Sequence, residues 1–490
     1  MKKTQLSAAS RHRFPKAPTG IAGLDEITSG GLPRGRTTLL VGSPGCGKTL
    51  LAMAFLAHGA TQCGEPGVCL QFEETADKLA ANLASLGLDL HELSRRKKLL
   101  VDHIRIDRNE IEETGEYNLD GLFIRLGLAV DTIKAKRVVM DGIETLFAGL
   151  SDQAVLRSEL RRLFRWLDDH NLSAIVTGER GDKNLSRHGL EEYIADCVIL
   201  LDHRVSEQLS TRRLRIVKYR GSSHGTDEYP FLIDDDGFTM MPVTSLGLTH
   251  KASKERVSSG FPGLDEMLDG KGFYRGSSVL VSGSAGTGKS SIGARFAEAA
   301  CARGESCLYF AFEESPSQII RNMASLGIRL EPYVEKGRLQ FHAARPTNSG
   351  LEMHLATMQK MVLKLNPRAV VVDPITSIFT AGNSHGAQLM FTRLLDFLKM
   401  RGVTSVFTDL TPDEHSLRRG YEGVSSLMDT WIKLWLVSTN GSGAARMISV
   451  IKSRGMAHTR QGRELIVKKG RLDLGPAPGS HPAASAEVSE

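Results

Sequence analysis

Two segments of the chain end an apolar run with adjacent carboxylates: Glu73 and Glu74 in "QFEET" (71–75), and Glu313 and Glu314 in "AFEES" (311–315). Each pair follows a phosphate-binding pattern. "GSPGCGKT" (42–49) and "GSAGTGKS" (283–290) both fit G-x-x-x-x-G-K-[ST], after an apolar strand and at the opening of a helix. The glycines Gly42, Gly45 and Gly47, and likewise Gly283, Gly286 and Gly288, let backbone N–H groups turn onto phosphates at the positive end of a helix. Cys46, Leu50, Thr287 and Ser291 belong to the same cradles. Lys48 and Lys289 are placed to reach the β- and γ-phosphates, and Thr49 and Ser290 to hold Mg²⁺.

A strand-end acid should support the Mg²⁺ water shell, and "RVVMDG" and "AVVVDP" supply Asp141 and Asp373. The paired glutamates come 25 positions after Lys48 (73 − 48) and 24 after Lys289 (313 − 289). That places them at the end of the strand following the P-loop helix, beside the phosphates of a doubly wound sheet. Consecutive strand residues face opposite ways, so two such carboxylates meet one atom only if the strand has already ended. One member reads as a base or water-orienting group; its neighbour tunes the site or contacts Mg²⁺.

These residues need elements to position them. Short β-branched runs alternate with amphipathic stretches in each half, such as "TTLLVG", "KTLLAMAFLAHGA", "GVCLQFEE" and "RVVMDG". That alternation predicts an α/β fold with a mainly parallel sheet covered on both faces. The two halves are a duplication. "TGIAGLDEITSGGLPRG" (19–35) matches "SGFPGLDEMLDGKGFYRG" (259–276), "NLASLGLDL" (82–90) matches "NMASLGIRL" (322–330), and "VKYRGSSH" (217–224) matches "IKSRGMAH" (451–458). The partition is a flexible N-terminus at 1–13, a first domain at 14–242, a linker at 243–253, a second domain at 254–472 and a disordered tail at 473–490.

Composition narrows the class. A chain of 490 residues exceeds one typical domain, and its 41% apolar content suits packed cores. The net charge of +6 is diffuse, with 62 basic against 56 acidic residues, and no basic stripe interleaved with aromatics marks a nucleic-acid surface. No uninterrupted apolar run approaches the roughly 18 residues of a membrane span, and the basic N-terminus lacks the apolar stretch of a signal peptide. Six cysteines without a CxxC pair read as reduced cytosolic thiols and point to the cytoplasm.

Together the two P-loops, the two "FEE" elements, the "GLDE" lead-ins and the terminal "K-x-RG" elements resemble the RecA-like ATPases, and specifically the KaiC family of duplicated clock ATPases and autokinases. The resemblance covers nearly the whole chain. It implies a homohexameric double ring with ATP and Mg²⁺ at subunit interfaces, a hydrolytic first ring and a second ring that phosphorylates its own subunits. It implies that Glu73 and Glu74 activate the hydrolytic water, and that Glu313, supported by Glu314 and contacting the metal, accepts the proton of a protein hydroxyl. Ser85 joins the first nucleotide site by the same resemblance. Lys218, Tyr219, Arg220, Ser222 and His224 match the family's trans-acting element in the first ring, and Lys452, Ser453 and Arg454, with Arg446, that of the second. In "GVSSLMDTWIKLW" (423–435), Ser425 and Ser426 fall on the acceptor positions, while a third assisting hydroxyl is replaced by Gly420. A KaiB-like regulator is the partner implied, although "LGPAPGSHPAASAEVSE" offers no version of the family's C-terminal extension. The competing readings are a recombinase- or helicase-like nucleic-acid motor and an ATP-gated scaffold without phosphotransfer.

Overall fold

In the computed structural model the described residues are 14–104, 119–147, 153–181, 185, 194–206, 209–240, 252–345, 350–379, 384–411, 422–439, 443–468 and 470–476. Gly420, the segment 1–13, most of 243–253 and the tail from 477 therefore lie outside them. The chain divides into two units, Met1–Thr244 and Ser245–Glu490.

The first unit carries a nine-stranded sheet: β1 (Thr37–Gly42), β2 (Gly67–Gln71), β3 (Leu99–His103), β4 (Arg137–Asp141), β5 (Ser173–Glu179), β6 (Cys197–Ser206), β7 (Leu209–Tyr219), β8 (Glu228–Asp234) and β9 (Gly237–Met240). Their order is β9-β8-β7-β6-β1-β5-β4-β2-β3. The run from β6 to β3 is parallel, and β7 to β9 extend it antiparallel. The second unit repeats the plan with β10 (Ser278–Gly283), β11 (Cys307–Ala311), β12 (Leu339–Ala343), β13 (Ala369–Asp373), β14 (Thr404–Leu410), β15 (Thr430–Thr439), β16 (Gly443–Ser453), β17 (Arg463–Lys468) and β18 (Arg471–Leu474). Their order, β12-β11-β13-β14-β10-β15-β16-β17-β18, is the same topology. These are two tandem RecA-like domains.

The central strands are apolar almost throughout because helices cover both faces. In the first unit Leu40, Val139 and Ile175 pack on the P-loop helix Lys48–His58, while Leu39, Val138 and Val176 pack with the helices Asp120–Ile133 and Gln153–Asp169. No helix among the described residues is long and apolar enough to cross a membrane.

The one-residue difference in Lys-to-Glu spacing has a local cause. In the first unit the P-loop helix runs on into a π-helical turn, Gly59–Cys63, which absorbs the extra residue; its counterpart in the second, Lys289–Ala302, stays α-helical throughout. The turn packs against Arg137, whose side chain is fully buried. Arg137 bonds Glu65 at 2.7 Å and the carbonyls of Pro18 and Phe55 at 2.8 and 2.7 Å, and it lies over the Phe55 ring. A Cβ on Gly59 would come within 2.4 Å of its guanidinium stem. In the second unit the corresponding residues are Ala369 and Ala300; Glu305, the counterpart of Glu65, keeps Arg275 as Glu65 keeps Arg34, and Arg303 takes the place of Arg137.

Arg137→Ala should destabilise the first domain by about 1–3 kcal/mol, because it leaves the buried carbonyls of Pro18 and Phe55 without their donor, while Glu65 keeps Arg34 as its remaining cation. Gly59→Ala should cost much less in that background than in the native chain. A double-mutant cycle from calorimetric unfolding checks both; equal costs of Gly59→Ala in the two backgrounds would show that glycine is not there for the arginine.

Candidate functional site

Both P-loops sit at the carboxyl end of a central strand, β1 or β10, where doubly wound sheets bind ligands. Gly47 and Gly288, the residues before the helical lysines, have φ of 101° and 100°, which only glycine adopts cheaply. A Cβ on Gly45 or Gly286 would point into open space, so the concave side of each loop is clear. Gly42 and Gly283 serve packing instead: a Cβ there would strike Cys46 Sγ or Thr287 Oγ1 and a carbonyl of the next strand. Cys46 and Thr287 are fully buried, and Leu50 and Ser291 nearly so. Cys46 and Leu50 pack into the core and the Thr287 hydroxyl donates to Ser284 O at 2.8 Å, which leaves backbone N–H groups as their contribution to a ligand. Lys48 Nζ donates to the carbonyls of Gly42 and Ser43 at 2.8 and 3.2 Å, and Lys289 Nζ to Ser284 O at 2.7 Å. Burial lowers the Lys289 ammonium below its usual value, against the pull of Asp373, Asp409 and Glu313.

The strand-end acids each gather hydroxyl donors from across the sheet. Asp141 accepts from Thr49 at 2.8 Å, Thr177 at 2.7 Å and the Gln71 amide at 3.0 Å. Asp373 accepts from Ser290 at 3.2 Å, from Tyr309 at 2.6 Å and from Thr408. Threonine or serine hydroxyl beside one carboxylate is the hard oxygen set that Mg²⁺ shares with substrate phosphates. Thr177, Thr408, Gln71 and Tyr309 were not expected from sequence. The matching positions of Thr177 in "VTGE" and Thr408 in "FTDL" are the one signal that the duplication offered for them.

Strands β2 and β11 end at Gln71 and Ala311, so the glutamates lie just past them and are free to diverge. They do. Glu73 packs against Gly142, whose absent Cβ would come within 3.0 Å of its carboxyl carbon, whereas Glu74 accepts from Asn82 at 3.3 Å. Glu313 accepts from Ser377 at 2.8 Å, and Glu314 from Asn322 at 3.1 Å. In each pair the first member turns toward the phosphate site and the second toward the following helix. Partial burial, then the charges of Asp141 and Glu179, raises the Glu73 carboxyl above its ordinary range. The two sites also differ at the ends of β5 and β14. Glu144 accepts from the N–H of Glu179, while Thr376 accepts from Leu410 N–H at 2.8 Å and donates to Asp409 at 2.6 Å.

The basic elements lie elsewhere. Gly42 is level with Leu201 and Leu214, whereas Thr38 is level with Cys197 and Tyr219. Lys218 and Tyr219 are thus at the strand end opposite the P-loop, about 13 Å away at 3.3 Å per residue. Tyr219 is buried with its hydroxyl on Gly31 O at 2.9 Å and its ring under Lys16; His224 lies beside that ring. Ser222 accepts from Lys16 at 2.8 Å, and the Arg220 N–H bonds Asp196 O. Ser85 ends its helix with a hydroxyl on Asn82 O. In the second unit Val279 is level with Thr430 and Ser453, again remote from Gly283. Ser453 is buried against Thr430. Lys452 donates to the carbonyl of Ser425 at 2.7 Å and Arg454 to that of Ser426, which caps the short helix Glu422–Leu427. Arg446 parts company with this group. It lies at the other end of β16 and donates to Gly286 O of its own P-loop at 3.1 Å.

A family model described as "ATPase: KaiC" matches residues 17–245 and again 257–477. The chain belongs to the KaiC family. It is 52% identical to the circadian clock protein KaiC2 of Synechocystis sp. (strain ATCC 27184 / PCC 6803 / Kazusa), over 94% of this chain and 81% of that relative. The circadian clock oscillator proteins KaiC of Parathermosynechococcus lividus and Prochlorococcus marinus (strain MIT 9313) are 36% and 33% identical, over 94% and 97% of this chain and 85% and 95% of theirs. The duplicated P-loop sites are accordingly ATPase sites of a KaiC-family protein.

Thr177→Val should weaken Mg²⁺-dependent ATP binding at the first site by about 10–100-fold and leave Mg²⁺-free binding unchanged. Fluorescent-nucleotide titration of a chain whose second P-loop carries Lys289→Ala reads this directly.

Proposed function

We propose that the protein is a Mg²⁺- and ATP-dependent ATPase and serine autokinase that works as a homohexameric double ring. The first domain hydrolyses ATP, and the second transfers the γ-phosphate to Ser425 or Ser426 of a neighbouring copy. The observation that carries this reading is the separation within one chain: Ser425, Ser426, Lys452 and Arg454 cluster at the strand end opposite their own P-loop. A chain's own nucleotide therefore does not face its own serines. Two cations beside the acceptor segment suit the charge that develops on a γ-phosphate supplied by the next subunit. A KaiB-like regulator is the partner this assignment implies.

Glu313, turned toward the phosphate site and held by Ser377, takes the serine proton as the hydroxyl oxygen attacks phosphorus and ADP leaves. Glu73 plays the corresponding part for water. Arg446, seated on its own P-loop, supports the nucleotide in cis.

Subunit mixing tests the transfer. Glu313→Gln alone and Ser425→Ala/Ser426→Ala alone should stay unphosphorylated in Mg-ATP, whereas mixed hexamers should gain phosphoserine on the Glu313→Gln chains by mass spectrometry. Phosphate on the Glu313→Gln protein by itself would overturn the base assignment, and none in the mixture would overturn transfer between copies.

Glu73→Gln should remove most steady-state hydrolysis. Because Glu73 must be ionised to act and its carboxyl is raised, activity should fall with decreasing pH earlier than for an ordinary carboxylate. Glu179→Gln removes a neighbouring negative charge, which eases ionisation, so the acid limb of the rate profile should move to lower pH.

A further inference from the structure

The first domain contains a cavity of about 480 Å³ behind the P-loop helix. Its lining includes the apolar Ile21, Ala54, Ala57 and Phe238 and the polar His58, Thr61, Asp89, Glu92, Arg96 and Asp236. The lining includes none of residues 42–50, nor Ser85, so it is separate from the nucleotide cradle. The volume is that of a small-molecule site.

The duplication shows what belongs in such a space. Gly20, Ala54, Ala57 and Asp89 correspond to Gly260, Arg295, Glu298 and Arg329. In the second domain those residues form a closed cluster. The Arg295 guanidinium donates to Gly260 O at 3.0 Å and to Glu298 at 2.6 Å, and it lies over the Phe261 ring; Glu298 also accepts from Arg329 N–H at 2.8 Å. The second domain thus fills the position with a cation of its own. The first domain has alanines in place of the arginine and its carboxylate, Asp89 in place of Arg329, whose backbone N–H is what meets Glu298, and His58 in place of Ala299, its ring packed against Gly20.

We infer that this cavity of the first domain binds a small organic cation carrying a guanidinium or primary amine, seated where Arg295 sits in the second. The charges around it agree. Asp89 and Asp236 are carboxylates, while Glu92 is taken up by Arg96 at 2.6 Å and by Arg95. His58 does not oppose a cation, since burial and then Arg137 lower its imidazole below the usual value and keep it neutral near pH 7. The π-helical turn ending the P-loop helix supplies Thr61 to the wall, so an occupant bears directly on the element that carries Lys48 and Thr49.

Calorimetric titration of the full chain in Mg-ATP with agmatine, and separately with putrescine, tests this. At least one should bind, and Ala54→Arg, which restores the second domain's own occupant, should abolish that binding while ATP binding persists. Asp89→Asn keeps the helix cap through its side-chain oxygen but removes the charge, and it should weaken binding by about tenfold or more, the scale of one lost charge-assisted hydrogen bond. Agmatine alone binding assigns the guanidinium, and putrescine alone the amine. Failure of both cations to bind, undiminished binding in Ala54→Arg, or equal binding of an uncharged analogue would overturn the proposal. None of these outcomes bears on nucleotide hydrolysis or phosphotransfer.

Discussion

Each catalytic half depends on one buried carboxylate at the end of a central strand. Asp141 accepts hydrogen bonds from the P-loop helix through Thr49, from β5 through Thr177 and from β2 through Gln71. Asp373 repeats the node with Ser290, Thr408 and Tyr309. A buried carboxylate costs several kcal/mol unless donors surround it, so this node locks the phosphate loop in place relative to the strands that deliver the glutamates. Binding geometry and core integrity are therefore the same set of bonds.

Around this shared node the two halves have diverged. Gln71 lies where the second half has Ala311, and Tyr309 where the first has Cys69, so the third donor reaches each Asp from a different position on the strand. Arg137 with its glycine-bearing π turn is matched by Ala369 and Ala300, and Glu144 by Thr376. Glu73 is raised by partial burial and then by Asp141 and Glu179, whereas in the second site Leu410 stands where Glu179 does and Ser377 donates to Glu313.

Strand register gives the same chain two working ends. β16 carries Arg446 to its own P-loop and Lys452 to the far end, where the helix bearing Ser425 and Ser426 is capped by the cations beside it. Lys452 is lowered by burial and by the nearby Arg454, a cost that an incoming phosphate would relieve. A single strand of this length thus reaches its own P-loop at one end and the serine-bearing helix at the other.

The local content of the site was legible in the sequence because each part is a short, contiguous pattern: the P-loops, the strand-terminal Asp141 and Asp373, the glutamate pairs, and the repeat that fixed two RecA-like domains. The opposed directions of the paired glutamates depended on where β2 and β11 stop, and strand ends are set by pairing with neighbours rather than by the residues themselves. Thr177, Tyr309 and Thr408 escaped notice because they lie 36, 64 and 35 positions from the acids they serve. The family resemblance sets Arg446 beside Lys452 in one element, yet six residues of extended strand separate the two by about 20 Å. The cavity beside the P-loop helix is invisible in either half alone, since a truncation to alanine reads as an ordinary helix residue. Sequence determined which groups exist and in what local order; only the tertiary structure, by stacking strands from distant parts of the chain, decided which of them meet.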